Sequence, residues 1–121
     1  MKILIIEDDL FFQKFYRTQL EGQGFEIDIG KNGVEGLTKI DSFKPDVILL
    51  DIIMPEKDGF EVLETLSENG KIKNLPILVF STLGQEKDVK RAMELGAKGF
   101  INKSFFDFNS LLEKIKQLAA K

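Results

Sequence analysis

Five times along this chain a short apolar run gives way to a longer segment of helical period, and no other feature restricts the fold as strongly. The runs are Ile3–Ile6, Phe25–Ile29, Asp46–Leu50, Ile77–Phe80 and Gly99–Asn102. Strands that alternate with helices are expected to form a parallel sheet, because parallel neighbours need a crossover and a helix usually supplies it. Four of the runs lack a polar–apolar alternation and read as strands buried on both faces. The exception, Phe25-Glu26-Ile27-Asp28-Ile29, alternates strictly and is placed at a sheet edge with one wetter face.

Helices are expected at about Leu10–Glu21, Gly33–Asp41, Gly59–Asn69 and Gln85–Leu95. A last helix carries the stripe Phe108, Leu111, Leu112, Ile115, Leu118 and Ala119, with Asp107 as its N-cap. Gly22, Gly70 and Gly96 stand where left-handed helix terminators are expected. The whole chain, residues 1–121, reads as one domain, whose 43% hydrophobic residues suffice for a core without disulfide or metal staples.

Composition removes several kinds of chemistry. The chain has no cysteine and no histidine, so thiol chemistry, a Ser-His-Asp triad and a phosphohistidine carrier are excluded. A formal net charge of −3, with both signs interspersed, argues against direct nucleic-acid or membrane-surface binding. The apolar start, Ile3-Leu4-Ile5-Ile6, is stopped by Glu7-Asp8-Asp9, too early for a signal peptide or membrane span. A cytoplasmic protein is expected, and its chemistry must run on carboxylates, hydroxyls and lysines.

Those groups converge. In a parallel sheet the carboxyl ends of the strands share one edge, and ligands bind there where the strand order reverses. The first strand ends in Glu7-Asp8-Asp9, the third in Asp51, the fourth in Ser81-Thr82 and the fifth in Lys103. With the common order 2-1-3-4-5, Asp51 faces the acidic cluster. Like charges raise one another's pKa, so a cation is the natural remedy. Hard oxygen donors favour Mg²⁺, Mn²⁺ or Ca²⁺, and the few protein ligands, leaving room for water and phosphate, favour Mg²⁺, with Mn²⁺ able to substitute. The acids at 7 to 9 could instead cap the first helix, and Asp9 is the one best suited to that. Asp51 is a lone charge among Val47-Ile48-Leu49-Leu50 and Ile52-Ile53. A metal-held carboxylate with a free oxygen can attack phosphorus and become an aspartyl phosphate. Lys103 would then hold one phosphoryl oxygen and the Ser81 hydroxyl would donate to another.

Ile-Glu-Asp-Asp (6 to 9), Asp-Val-Ile-Leu-Leu-Asp-Ile-Ile-Met-Pro-Glu-Lys-Asp-Gly (46 to 59), Pro-Ile-Leu-Val-Phe-Ser (76 to 81) and Gly-Ala-Lys-Gly-Phe-Ile-Asn-Lys (96 to 103) together resemble response-regulator receiver domains over essentially the whole length. The resemblance implies the flavodoxin-like, doubly wound five-stranded α/β fold of the CheY-like superfamily. It implies that Asp51 is the phosphoacceptor, that Glu7, Asp8, Asp51 and the Ile53 carbonyl bind Mg²⁺, and that Ser81 and Phe100 are the switch residues. Lys103 would be the phosphate-contacting lysine. The implied donor is a sensor histidine kinase or phosphotransfer protein, recognised beside the first helix with Phe11, Phe12 and Phe15, some of which belong to the core. The implied output is a downstream protein on the face of the fourth helix, fifth strand and fifth helix, which carries Lys87, Lys90, Arg91, Lys98 and Phe106.

The chain departs from the family at several points. Ser104 stands where a cis-proline is usual, which leaves either a changed loop or a strained bond. Thr82 replaces a smaller residue, and Ile53 and Leu83 are apolar where other members place groups that assist water, so slow self-dephosphorylation is expected. Lys98 and Gly99 replace acids that pair across the dimer of winged-helix regulators. The chain is read as a stand-alone receiver or a piece of a longer regulator. Rival readings fare worse. A haloacid-dehalogenase phosphatase resembles Asp-x-Asp, but Ile53 fills the second position. A flavin site would meet repulsion from Glu7-Asp8-Asp9. A receiver-like module that binds a partner without phosphorylation is the alternative retained.

Overall fold

The computed structural model describes residues 1–54, 57–82, 85–104 and 107–120. In chain order these form β1 (Lys2–Ile6), α1 (Leu10–Glu21), β2 (Glu26–Gly30), α2 (Gly33–Phe43), β3 (Val47–Leu50), α3 (Gly59–Glu68), a 3-10 turn (Lys71–Asn74), β4 (Ile77–Ser81), α4 (Glu86–Glu94), β5 (Gly99–Asn102) and α5 (Phe108–Ala119). The strands pair in parallel in the order β2-β1-β3-β4-β5. Among the described residues no helix is long and apolar enough to cross a membrane.

Helices on both faces explain why the central strands show no polar alternation. Ile3, Ile5, Val47, Leu49, Leu78 and Phe80 turn to one core with Tyr16 and Leu20 of α1 and Leu111 and Ile115 of α5. Leu4, Ile6, Ile48, Leu50, Ile77 and Val79 turn to the other core with Ile40 of α2, Val62, Leu63 and Leu66 of α3 and Ala92 of α4. Each fully buried aliphatic side chain stabilises the fold by about 1.5–3 kcal/mol, and both faces of the sheet draw on that. β2 lies at an edge, as its alternation predicts. β5 departs from expectation: it is the other edge, and only Gly99 in it is buried while Phe100, Ile101 and Asn102 are half-buried.

Local signals set most boundaries. Asp9 caps α1, its carboxylate accepting from the Phe11 and Phe12 amides at 2.8 and 3.2 Å. Asp58 and Glu61 form a reciprocal capping box on α3, and Asp107 caps α5 as expected. Gly70 and Gly96 are left-handed with φ of 78° and 115°. Gly22 is not: it keeps helical geometry with φ −60°, its amide still donating to Thr18, and the reversal falls on Gly24 at φ 91°. α2 ends on Lys44 in the left-handed region at φ 53°, where no glycine marks the stop.

Candidate functional site

The backbone of β1 and β3 fixes the first two carboxylates. The Asp51 amide donates to the Ile6 carbonyl at 3.0 Å, which extends the β1–β3 ladder by one residue and brings Asp51 beside Glu7. The Glu7 amide donates to Gly30 of β2 at 3.0 Å, and Gln13 Nε2 of α1 donates to the Glu7 carbonyl at 2.7 Å. Glu7 is therefore held from three sides, since the Asp9 amide also donates to its Oε2 at 3.2 Å. Carboxylate oxygens of Glu7, Asp8 and Asp51 all lie within 4.8 Å of one another.

Lys103 closes the cluster. Its Nζ pairs with Glu7 Oε1, stands 3.3 Å from Asp51 Oδ2, and rests 4.5 Å from the centre of the Phe12 ring. The Lys103 amide donates to the Ser81 carbonyl at 2.9 Å, so the ends of β4 and β5 are tied at this rim. Among the described residues the buried polar side chains are Glu7, Gln13, Asp51, Ser81 and Lys103, and all gather at this rim. Ion pairs taken out of water stabilise little in themselves, so such a concentration points to function.

The electrostatics follow from burial and crowding. Burial pushes the Glu7 carboxyl up to about 7, Asp51 adds to the rise, and the Lys103 hydrogen bond pulls against it. The Tyr16 phenol, 1% exposed, is driven well above its ordinary value by burial and then by the charges of Glu7 and Asp51. Among the described residues, Lys103 is the cation paired with these two buried carboxylates. A hard dication fits the donor set: Glu7 and Asp51 are buried, and exposed Asp8 leaves one side open to water and phosphate.

Other expected residues fall as follows. Ile53 follows the site directly, its amide donating to Asp51 Oδ1 at 3.3 Å and its side chain 51% exposed. Phe100 is half-buried against the core beneath α3 and α4, in register with Val79. Of the α1 phenylalanines, Phe11 and Phe15 are exposed and Phe12 is half-buried. Arg91 is less free than the basic output patch supposes: it pairs with Glu64 at 2.9 Å and lies 4.2 Å from the Phe60 ring, clasping α4 to α3. Leu83 and Phe106 lie outside the described residues. The Lys103–Ser104 bond is trans, as are all peptide bonds among the described residues, and Ser104 N–H donates to Asn102 Oδ1 at 2.8 Å, so the loop has changed.

Sequence reasoning missed three supporting residues. Gln13 is a polar residue on the inward stripe it shares with Tyr16 and Leu20, a spacing of three and seven that marks it as buried. Phe12 underlies Lys103 by a cation–π contact that no local pattern announces. Gly59 is required by close approach: a Cβ there would stand 2.4 Å from the Asp51 carbonyl oxygen and 2.7 Å from Ile52 Cα.

Comparison with known proteins agrees with this fold. The family model described as "Response regulator receiver domain" matches residues 3–116. The probable transcriptional regulator ycf29 of Porphyra purpurea is 34% identical over 96% of this chain and 55% of its own length. Chemotaxis protein CheY of Listeria monocytogenes is 34% identical over 98% of both chains. The chain thus spans about half the length of the transcriptional regulators it matches and nearly all of the chemotaxis protein. Among solved structures, the CheX-CheY-BeF3-Mg+2 complex from Borrelia burgdorferi superposes with a TM-score of 0.89 at 31% identity, over 100% of this chain and 90% of that one.

Proposed function

Because this chain belongs to the response regulator receiver domain family of two-component systems, we propose that Asp51 accepts a phosphoryl group from a phosphohistidine of a sensor kinase or phosphotransfer protein. The observation that carries the reading is the buried group of Glu7, Asp51 and Lys103 at one strand-end rim, with Asp8 at its open side. An Asp51 carboxylate oxygen forms the bond to phosphorus as the bond from phosphorus to the donor nitrogen breaks, and the departing imidazole takes up a proton. Glu7, Asp8, Asp51 and the Ile53 carbonyl would hold Mg²⁺, or Mn²⁺ in its place. The ion supplies charge neutralisation for the acceptor and the transferring group.

Lys103 has a second task after transfer. It leaves its carboxylate partners to hold a phosphoryl oxygen, while the Ser81 hydroxyl donates to another. Charge-assisted hydrogen bonds of about 1.5–3 kcal/mol each bias the ends of β4 and β5 toward one arrangement by a factor of about ten or more. Phe100 follows by burying its ring, and the α4–β5–α5 face then favours a downstream partner. The donor approaches beside α1, where Leu10, Phe11 and Phe15 are exposed next to the rim. Ile53 offers no hydrogen bond from its side chain to an attacking water, which supports a long-lived acyl phosphate. A lifetime of only seconds would count against that part of the reading.

The test is incubation with Mg²⁺ and acetyl phosphate, followed by intact-mass measurement of wild type and Asp51→Asn. A phosphoryl adduct in wild type alone, lost with a chelator, is expected. A folded protein that takes no phosphoryl group from acetyl phosphate or from a kinase donor would favour the phosphorylation-independent binding module instead.

A further inference from the structure

At the opposite end of the sheet from Asp51, where β4 and β5 begin, a cavity of about 600 Å³ opens between the 3-10 turn and α5. Its charged lining is Lys73, Lys98 and Lys114, and Asn74 and Gln117 add two amides. No carboxylate lines it, and none lies within 4.0 Å of these three amines among the described residues, whereas Lys39, Lys71 and Lys103 each have such a partner. In a chain of net charge −3, three unneutralised lysines around one concavity form a local reversal of sign.

Lys73 and Lys98 are exposed, and Lys114 is the most covered of the three. It is half-buried, and a Cβ at Gly99 would stand 3.0 Å from its Cε, so the glycine at the start of β5 makes room for the lysine stem. Leu75 and Leu118 give the cavity an apolar wall, and its volume lies within the range of small-ligand sites, roughly 300–1,000 Å³. A second hollow of about 320 Å³ shares Asn74 and Leu75 with it, but there Asp41 pairs with Lys71 beside Lys44, so the unpaired basic lining belongs to the first cavity.

We propose that this cavity binds the polyphosphate group of a small ligand, either of a nucleotide or free. Three lysines match two or three phosphate charges, the amides offer donors to the remaining oxygens, and the leucine wall gives a nucleoside a place that free polyphosphate does not use. The site is independent of Asp51 and stands whether or not Asp51 is phosphorylated.

Titration of the full chain with ADP and with pyrophosphate, without Mg²⁺ and followed by amide chemical shifts, tests the assignment. Saturable shifts at Asn74, Lys98 and Lys114 are expected, with affinity falling as salt rises. Each Lys→Gln change at 73, 98 or 114 should weaken binding about threefold, and the triple variant about thirtyfold, the scale of exposed ion pairs. Tighter binding of ADP than pyrophosphate would identify a nucleotide, and equal binding the free polyphosphate. Three results would overturn the site: no saturation at millimolar ligand, shifts confined to the Asp51 rim, or equal weakening by the control pair Lys14→Gln and Lys87→Gln.

Discussion

Replacing Lys103 with methionine removes the one cation that, among the described residues, pairs with Glu7 and Asp51, and the cost should depend on pH and on magnesium in a way no simple packing loss would. Methionine keeps most of the volume, so the cavity contribution is small. Breaking a buried ion pair by removing one partner costs about 3–5 kcal/mol when the other charge cannot escape. Here it can escape, because the Glu7 carboxyl is already raised from 4.5 to about 7. Without Lys103 it rises further. A folded carboxyl above its unfolded value binds extra protons, so stability is lost as pH rises from the unfolded value through the folded one. The variant should therefore lose about 3 kcal/mol at pH 8 and much less at pH 6. With a urea slope of about 2 kcal/mol/M, the midpoint falls by roughly 1.5 M at pH 8. Saturating Mg²⁺ supplies the missing charge and should recover most of the loss at pH 8. Urea unfolding of both proteins at the two pH values, with and without Mg²⁺, checks this. An equal midpoint shift under all four conditions would refute the electrostatic account.

Further expectations separate the roles of neighbouring residues. Mg²⁺ affinity measured by calorimetry should fall as pH drops below about 7, with proton release on binding, because a proton and the ion compete for Glu7. Asp8→Asn should weaken Mg²⁺ binding with little change in urea stability, while Asp9→Ala should cost about 1 kcal/mol of stability and leave Mg²⁺ affinity nearly intact, as a cap should. Gly59→Ala should destabilise by about 2 kcal/mol or more and slow phosphorylation of Asp51, since the new methyl would press on the Asp51 carbonyl from 2.4 Å. A Gly59→Ala protein as stable and as reactive as wild type would mean that the α3 start can shift freely.

Much of this architecture was legible because the signals were periodic or local. The unbroken apolar runs of β1, β3 and β4 announced a sheet covered on both faces, and the alternation in β2 announced an edge. The exposed side of β5 was hidden, because Phe100 and Ile101 are as apolar as core residues while lying at the other edge. Lys44 closes α2 in a conformation usually left to glycine, so its signal was masked by residue type. In the site, strand ends located Glu7, Asp51, Ser81 and Lys103. The support Phe12 was less legible because its partner lies across the fold, 91 residues away in sequence, whereas Gln13 turns back to the Glu7 carbonyl only six residues before it.

The placement of Tyr16 has an optical consequence. It is the only tyrosine in a chain without tryptophan, it stacks 5.6 Å from the Phe12 ring, and Phe12 in turn carries Lys103. Its ring also meets Phe80 edge-on at 4.9 Å, one residue before Ser81. At wavelengths too long for phenylalanine to absorb, the fluorescence of this protein therefore comes from a single chromophore wedged between both halves of the charged rim. Any ion or phosphoryl group that relocates Lys103 or Ser81 changes that ring's surroundings, so occupancy can be read from the unlabelled protein in real time.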